Sequence, residues 1–260
     1  MKNKNGIKII FTDLDWTLFD HIKVTYNPSG LEALRKAREN GIKVIICTAR
    51  SYVSLLRVDA FNLVPHDGYI CSNGAVAKVD DTYVYRYSIS EDKVRFILQG
   101  MKERGLVGQV NSYDRAFLTG EETPLAKDFY DHWLEYRPTP KEYEGEEVTS
   151  IIMFASPGEE DFLKDQDLVL FRFCDIALDV NSRPHVKSDG VSKVLEYYGF
   201  SKDEAVAIGD DYADIEMFKE VKYSIAMGNG REEVKNAAYL VADRIDNDGL
   251  AKALEELDII

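Results

Sequence analysis

Two aspartates, Asp13 and Asp15, directly follow an apolar run in the segment IIFTDLDWTL. The run predicts a buried strand, and its carboxyl end is where open α/β sheets bind ligands. Neighbouring carboxylates stay ionised most easily beside a cation, and oxygen ligands suit Mg²⁺. Asp13 could attack phosphorus as a nucleophile, while Asp15 could protonate the leaving oxygen and then activate water. A loop that merely caps a helix is the alternative that these residues leave open.

Thr48 and Arg50 follow a second apolar run, residues 43–47. A threonine hydroxyl can donate a hydrogen bond to a phosphoryl oxygen, and a guanidinium can bind phosphate through two N–H groups. Thr48 or Ser51 could instead cap the next helix beside a solvated arginine. The two roles can also coexist.

A second acidic group, which includes Asp210 and Asp214, follows the apolar run 205–208. These carboxylates could complete the oxygen shell of a metal ion. We predict Asp210 as a ligand, because two strands of one sheet that both end in acids are hard to explain by stability alone. Asp214 could instead cap the helix that begins near Ile215.

A lysine near these acids could neutralise Asp13 and a transferring phosphoryl group, as cations do in phosphoryl transfer. The pattern predicts a helix over 191–198, which places Lys193 in its first turn. A cation is disfavoured there by the helix dipole, so its presence indicates a function. Lys187 is the competing candidate, and an ordinary solvated lysine is the alternative for either.

Length and composition narrow the class of protein. The chain has 260 residues, 45% of them hydrophobic, which is enough to bury a sizeable core. Its formal net charge of −14 disfavours nucleic acid or an anionic membrane as a partner. The apolar run at the N-terminus is short and is cut by Asp13, so we predict neither a signal peptide nor a membrane span, and a cytoplasmic protein. The sequence does not indicate the oligomeric state.

Cysteines and histidines show no ligand pattern. The isolated Cys47, Cys71 and Cys174 predict neither disulfides nor a zinc site. The histidines lack metal-ligand spacing and indicate no Ser/His/Asp arrangement. They are His21, His66, His132 and His185.

The elements that must position these residues alternate between strand and helix. This rhythm predicts an α/β fold with a doubly wound parallel sheet, a Rossmann-like core formed by residues 1–81 and 182–260. Residues 82–181 change to alternating strands and aromatic-rich segments, which predicts an inserted α+β domain.

The motifs DLDWTL, CTAR, the lysine in DGVSK, and GDDYAD resemble the four motifs of the haloacid dehalogenase-like phosphatases, in the same order. The insert, together with CSNGA and AMGNG, resembles the Cof-type branch, whose cap is an α/β domain of the C2 kind. The resemblance covers essentially the whole chain. It implies that residues 82–181 form a cap that sets substrate specificity.

The resemblance also implies roles for individual residues. Asp13 would form an aspartyl-phosphate, and Asp15 would serve as general acid and base. Thr48 and Lys193 would hold the phosphoryl group. Mg²⁺ would be bound by Asp210, the Asp13 carboxylate and the backbone carbonyl of Asp15.

Three further positions follow from the same resemblance. Arg50 and Asn73 would lie near the substrate phosphate, although an asparagine before Gly74 is also typical of a turn. Asp214 matches the second acid of the fourth motif, and it would support the metal or Lys193.

Two positions depart from the family pattern. Trp16 stands where the family usually has glycine, and its indole could narrow the entrance and restrict substrate size, or simply pack against the core. Ala213 stands where asparagine is common, so we predict weaker Mg²⁺ affinity.

The leading functional hypothesis is a Mg²⁺-dependent phosphomonoester hydrolase of a small phosphorylated metabolite, with sugar phosphates as candidates. A phosphomutase of sugar phosphates is the second hypothesis. A non-catalytic protein that binds phosphorylated metabolites is the third.

Overall fold

The computed structural model of the protein describes residue 3 and residues 5–133, 135–181 and 187–260, so His185 lies outside the described residues. The chain divides into two compact units. The core unit comprises Met1–Ala49, Ala60–Tyr85 and Val186–Ile260, and the inserted unit comprises Arg50–Asp59 and Arg86–His185. We retain the boundaries 81/82 and 181/182 as a proposal, and note that residues 50–59 group with the inserted unit.

The described residues form helices and strands in alternation. The helices are α1 (Pro28–Glu39), α2 (Tyr52–Arg57), α3 (Ala60–Leu63), α4 (Glu91–Glu103), α5 (Pro124–Trp133), α6 (Lys187–Tyr198), α7 (Tyr212–Phe218), α8 (Glu232–Ala237) and α9 (Gly249–Glu256). The strands are β1 (Ile9–Thr12), β2 (Phe19–Asp20), β3 (Thr25–Tyr26), β4 (Lys43–Cys47), β5 (Gly68–Cys71), β6 (Val76–Val79), β7 (Thr82–Arg86), β8 (Val107–Asn111), β9 (Ala116–Leu118), β10 (Ser150–Phe154), β11 (Val169–Cys174), β12 (Ala177–Asn181), β13 (Ala205–Gly209), β14 (Tyr223–Ala226) and β15 (Leu240–Val241).

The core unit contains an eight-stranded sheet in the order β15-β14-β13-β1-β4-β5-β6-β7. Strands β15 to β5 pair in parallel, whereas β6 pairs antiparallel with β5. Strand β1 lies between β13 and β4 and is buried throughout, which explains its continuous apolar run. Parallel strands end at one edge, so the residues that follow β1, β4, β5 and β13 share that edge. The predicted parallel α/β sheet is confirmed.

Helix α6 begins earlier than the sequence pattern predicts. It starts at Lys187, four residues before Val191. Its apolar residues appear only from Val191 onward, and Lys187 is buried through ion pairs, so hydrophobic periodicity misses the first turn. Lys193 therefore lies in the second turn, and the assumption about its dipole position is wrong.

The inserted unit contains an antiparallel five-stranded sheet in the order β11-β12-β10-β8-β9. Apolar residues of one face, such as Val110 and Ile151, pack with Val94 and Ile97 of α4. The opposite face carries polar residues between β8, β10 and β12. This separate sheet with its helices confirms the predicted α+β insert.

Two sequence-level expectations concern thiols and membranes. Cys47 and Cys71 are buried free thiols, and Cys174 is a partly exposed one. Among the described residues, every helix is too short or too polar to cross a lipid bilayer.

Candidate active site

Three buried carboxylates meet at the carboxyl edge of the core sheet. Asp13 follows β1, Asp210 follows β13, and Asp214 lies in the first turn of α7. One carboxylate oxygen from each lies within 4.8 Å of the others. The Asp13 N–H donates to the carbonyl of Ile208 at 2.8 Å, which continues the pairing of β1 with β13 and fixes the two strand ends side by side. The structure thus brings together three of the residues predicted from the sequence.

Lys187 completes this cluster. Its Nζ lies 2.5 Å from Oδ1 of Asp13 and 2.7 Å from Oδ1 of Asp214, and the residue is only 2% exposed. Burial opposes the charged ammonium, but the two carboxylates outweigh burial and hold the pKa of Lys187 well above its ordinary value. The sequence named Lys187 only as the competing candidate.

The prediction for Lys193 is corrected by its surroundings. Its Nζ pairs with Glu196 at 2.8 Å on the exposed side of α6, and its side chain is 47% exposed. A helical turn of 3.6 residues places positions 187 and 193 on different faces of α6. Lys187, the first residue of the helix, is the lysine that contacts Asp13.

The cluster holds more negative than positive charge. Burial raises the pKa of Asp13, and Lys187 opposes part of that rise. Burial, with the Asp214 carboxylate, raises the pKa of Asp210 to about 7. Three carboxylates thus share one ammonium group within this cluster, and all their donor atoms are oxygens. This donor set fits a divalent cation such as Mg²⁺, which would stabilise the ionised carboxylates.

Asp214 has both oxygens engaged. Its Oδ2 accepts the N–H groups of Asp210 at 2.8 Å and Asp211 at 3.0 Å, and its Oδ1 accepts Lys187. Asp211 occupies the N-cap of α7, with Asp214 as its reciprocal partner. Asp214 therefore supports the loop and Lys187, and its coordination of a metal stays a prediction.

Gly209 and Thr17 belong to the site but were missed by the sequence analysis. A Cβ atom on Gly209 would lie 2.2 Å from Cγ of Asp214, so the carboxylate fits only over a glycine. Thr17 donates its hydroxyl to Oδ1 of Asp210 at 3.1 Å and links the two acidic loops. Gly209 could have been found from the sequence, because it directly precedes the acidic residues of the GDDYAD motif. The contact of Thr17 with Asp210 could not, because it joins residues 193 positions apart.

Thr48 follows β4 and is buried. Ser51 caps α2 by accepting the N–H of Ser54, so the cap alternative for Thr48 is removed. The Asn73 N–H donates to the Thr48 carbonyl at 3.2 Å, which joins the loops after β4 and β5. Asn73 has a positive φ of 50° and makes the turn before Gly74, as one alternative expected. Their contacts to phosphate stay predictions.

Arg50 forms a buried ion pair within the inserted unit. Its Nη1 lies 3.1 Å from Oε1 of Glu135, with the side chains 6% and 12% exposed. Glu135 also accepts the hydroxyl of Ser54. Phosphate binding by Arg50 stays a prediction. Glu135 lies 85 residues away in the chain, and no local pattern predicts its contact with Arg50.

Asp15 is more exposed than the three buried acids. Its Oδ1 lies 2.6 Å from Nε2 of His21, and the two side chains are 29% and 15% exposed. A partly exposed carboxyl near the buried Asp13 carboxylate can exchange protons with water. The spacing of His21 from Asp15 matches no ligand or triad pattern, so the sequence alone predicts no role for it.

The chain matches the model of the haloacid dehalogenase-like hydrolase family over residues 10–254. The putative phosphatase YkrA of Bacillus subtilis is 26% identical over 263 residues, which cover 97% of this chain and 98% of that protein. The 5-amino-6-(5-phospho-D-ribitylamino)uracil phosphatase YcsE of Bacillus subtilis is 25% identical and covers 95% of this chain, with 94% of its own length matched.

A solved structure is similar to this chain over nearly its whole length. A sugar phosphatase of HAD subclass IIB superposes with a TM-score of 0.80 at 27% identity, covering 97% of this chain and 100% of that one. Together with the acidic cluster, these likenesses confirm the resemblance seen in the motifs. The chain belongs to the haloacid dehalogenase-like hydrolases, in their Cof-type subclass IIB, and is a phosphatase.

Proposed function

We propose that this phosphatase hydrolyses phosphomonoesters of small metabolites with Mg²⁺, through an aspartyl-phosphate on Asp13. The observation that carries the proposal is the buried Asp13 carboxylate, 2.5 Å from Lys187 and grouped with Asp210. A buried carboxylate with a fixed cation at one oxygen is oriented for attack, and the lysine balances charge on the phosphoryl group. When bound, Mg²⁺ would be held by Asp13 and Asp210 and would supply positive charge at the phosphoryl oxygens.

The residues divide the reaction into two displacements. In the first, an oxygen of Asp13 forms a bond to phosphorus while the ester oxygen leaves with a proton from Asp15. In the second, Asp15 takes a proton from water, which attacks phosphorus and frees Asp13 and inorganic phosphate. Lys187 remains an ammonium throughout, because Asp214 holds it in place and supports its high pKa.

Phosphorylated small metabolites are the proposed substrates. One relative is a phosphatase of a ribitylaminouracil phosphate, and a structural neighbour is a sugar phosphatase, so sugar phosphates and similar polyol phosphates are the first candidates. We further propose that the inserted unit selects among them, and that the protein works in the cytoplasm, where free thiols such as Cys47 persist.

The test is phosphate release from p-nitrophenyl phosphate and from a panel of phosphorylated metabolites, with and without Mg²⁺. Asp13→Asn keeps the shape of the side chain and removes the nucleophile, so we expect activity to fall by about 10⁴-fold or more. Asp203→Asn, at an exposed acid paired with Lys222, is the matched control and should behave as the wild type.

Two other outcomes would overturn the proposal. An isomerised sugar phosphate without free phosphate would identify a phosphomutase. Wild-type protein that binds phosphorylated metabolites but releases no phosphate from any of them would identify a non-catalytic binding protein.

A further inference from the structure

We propose that His21 is a positioning residue for the carboxyl group of Asp15, and that the indole of Trp16 holds His21 in that place. The inference rests on the proposed function, because it assumes that Asp15 protonates the leaving group. In this arrangement His21 acts through its contact with Asp15, and Trp16 acts through its contact with His21.

The contact between His21 and Asp15 is short and partly shielded. Nε2 of His21 lies 2.6 Å from Oδ1 of Asp15, and neither side chain is fully exposed. An ionised or hydrogen-bonded carboxyl held through one oxygen loses rotamer freedom. A general acid with a fixed rotamer meets the leaving oxygen more often in the productive geometry.

The ring of His21 is itself held on two sides. The Trp16 ring lies over it with centroids 5.1 Å apart and planes at 32°. The Phe19 ring meets it edge-on, also at 5.1 Å, with planes at 82°. Phe19 in turn packs edge-on against Tyr26 across the β2–β3 pair. These contacts fix the imidazole plane and thereby the direction of its Nε2.

Trp16 occupies a backbone conformation that bulky residues avoid. Its φ is 59°, in the left-handed region that favours glycine. Two hydrogen bonds hold this conformation, from the Trp16 N–H to the Phe19 carbonyl at 2.9 Å and from Asn229 Nδ2 to the Trp16 carbonyl at 2.8 Å. A strained residue is kept where its side chain has a function. For Trp16, that function is the contact of its indole with the ring of His21.

The first test compares two leaving groups in the full-length protein. p-Nitrophenolate leaves without a proton, whereas the alkoxide of glycerol 2-phosphate needs one from Asp15. For His21→Leu we expect kcat/KM to fall about 10- to 100-fold with glycerol 2-phosphate and no more than about 3-fold with p-nitrophenyl phosphate. The ratio kcat/KM is the right measure, because it reports the step in which the leaving group departs.

Two conservative variants separate positioning from mere folding. The amide nitrogen of His21→Gln can lie where Nε2 lies, so glycerol 2-phosphate hydrolysis should return to within about 3-fold of the wild type. His21→Asn is one bond too short and should behave like His21→Leu. This pair decides the question even if His21→Leu does not fold. Equal losses on both substrates, or Asn as active as Gln, would overturn the inference.

Trp16 gives an independent arm of the test. Trp16→Gly relieves the backbone and removes the ring, so we expect an unchanged or higher melting temperature together with a loss on glycerol 2-phosphate like that of His21→Leu. Trp16→Phe keeps a ring and should retain activity within about 3-fold. The double variant Trp16→Gly/His21→Leu should lose no more than the single ones, because both act through the same contact. Additive losses would contradict this.

Failure of the phosphatase reaction itself would look different. In that case Asp13→Asn would match the wild type on both substrates, which would overturn the proposed function and this inference with it. If Asp13→Asn is inactive and the His21 variants show no dependence on the leaving group, only this inference is wrong.

Discussion

The core unit and the inserted unit both bury polar side chains against a sheet, but they balance them differently. In the core unit, three carboxylates share one lysine. In the inserted unit, neutral groups satisfy one another along a chain of hydrogen bonds. Tyr130 donates to Gln109 at 2.9 Å, Gln109 to Asn111 at 2.7 Å, and Asn111 to Ser150 at 3.2 Å.

The difference separates a binding site from a structural network. Buried amides and hydroxyls that are paired with one another need no further partner. Buried carboxylates in excess of their counter-charges are unfavourable unless a cation joins them. The core cluster therefore favours binding of a cation, whereas the side chains from Tyr130 to Ser150 in the insert are paired by neutral hydrogen bonds.

The largest expected effect comes from removing the lysine of the core cluster. Lys187→Met leaves Asp13 and Asp214 without their ammonium partner, so we expect a loss of about 3–5 kcal/mol in the free energy of unfolding. Activity should fall by about 100-fold or more, because the charge at the phosphoryl group is lost. Urea unfolding and phosphate release measure the two effects. A variant with near wild-type activity would show that the cluster does not need this cation.

Mg²⁺ should stabilise the protein more at pH 8 than at pH 5. The pKa of Asp210 is about 7 in the folded protein, against about 3.9 in an unfolded chain. Between these values the folded state holds the extra proton, so the metal-free protein loses stability as pH rises from about 4 to about 7, by about 4 kcal/mol for this group alone. A bound cation favours the ionised carboxylate and reverses that loss.

Melting temperatures with Mg²⁺ and with a chelator, at both pH values, measure this effect. Asp210→Asn is the control, since it removes both the titrating group and a proposed ligand and should abolish most of the Mg²⁺ response. An equal response to Mg²⁺ at pH 5 and pH 8 would contradict the charge argument.

In the inserted unit, Asp179 should also reduce folding stability as pH rises, but by less than Asp210 does. Burial raises the pKa of Asp179 to about 6, although hydrogen bonds from Asn181 and Ser150 oppose the rise. The wild type therefore loses stability above the unfolded pKa, and Asp179→Asn should be more stable than the wild type by about 3 kcal/mol at pH 8 and nearly equal to it at pH 4. Urea unfolding at the two pH values tests this. A variant that is less stable at pH 8 would show that the carboxylate is needed by the network.

The smallest effect is expected at Lys193, on the same helix as Lys187. Its ion pair with Glu196 is solvent-exposed, so Lys193→Met should leave the midpoint of urea unfolding close to that of the wild type. We expect its kcat/KM to stay within about twofold of the wild type. It is the matched control for Lys187→Met, and a large loss of activity here would restore the original prediction.

The parallel sheet and the acidic residues at its edge could be predicted from the sequence. Buried parallel strands read as continuous apolar runs, and Asp13 and Asp210 stand directly after two of them. Helix α1 likewise has its start signals in the local sequence, because Asn27 caps it and Pro28 is its first residue. Local patterns sufficed because each signal and its element lie within a few residues.

The contacts of several other site residues could not be predicted, because they join residues far apart in the sequence. Lys187 is buried by carboxylates 174 and 27 residues away, so no periodicity marks it as an inward-facing residue. Glu135 reaches Arg50 across 85 residues in the same way. His21 lies just past a two-residue strand, which is too short to read from alternation. The antiparallel strand β6 was missed because the sequence rhythm suggested only parallel neighbours.

The position of β1 in the middle of the sheet has a consequence for how the protein is made. Its two neighbours are β4, synthesised soon after it, and β13, which leaves the ribosome nearly two hundred residues later. Until then one edge of β1 lacks its native partner, and Asp13 lacks both Lys187 and Asp210. Because a chain is synthesised from its N-terminus, the strand before Asp13 is translated before Lys187 and Asp210, so the acidic cluster can form only after both of those residues have been synthesised.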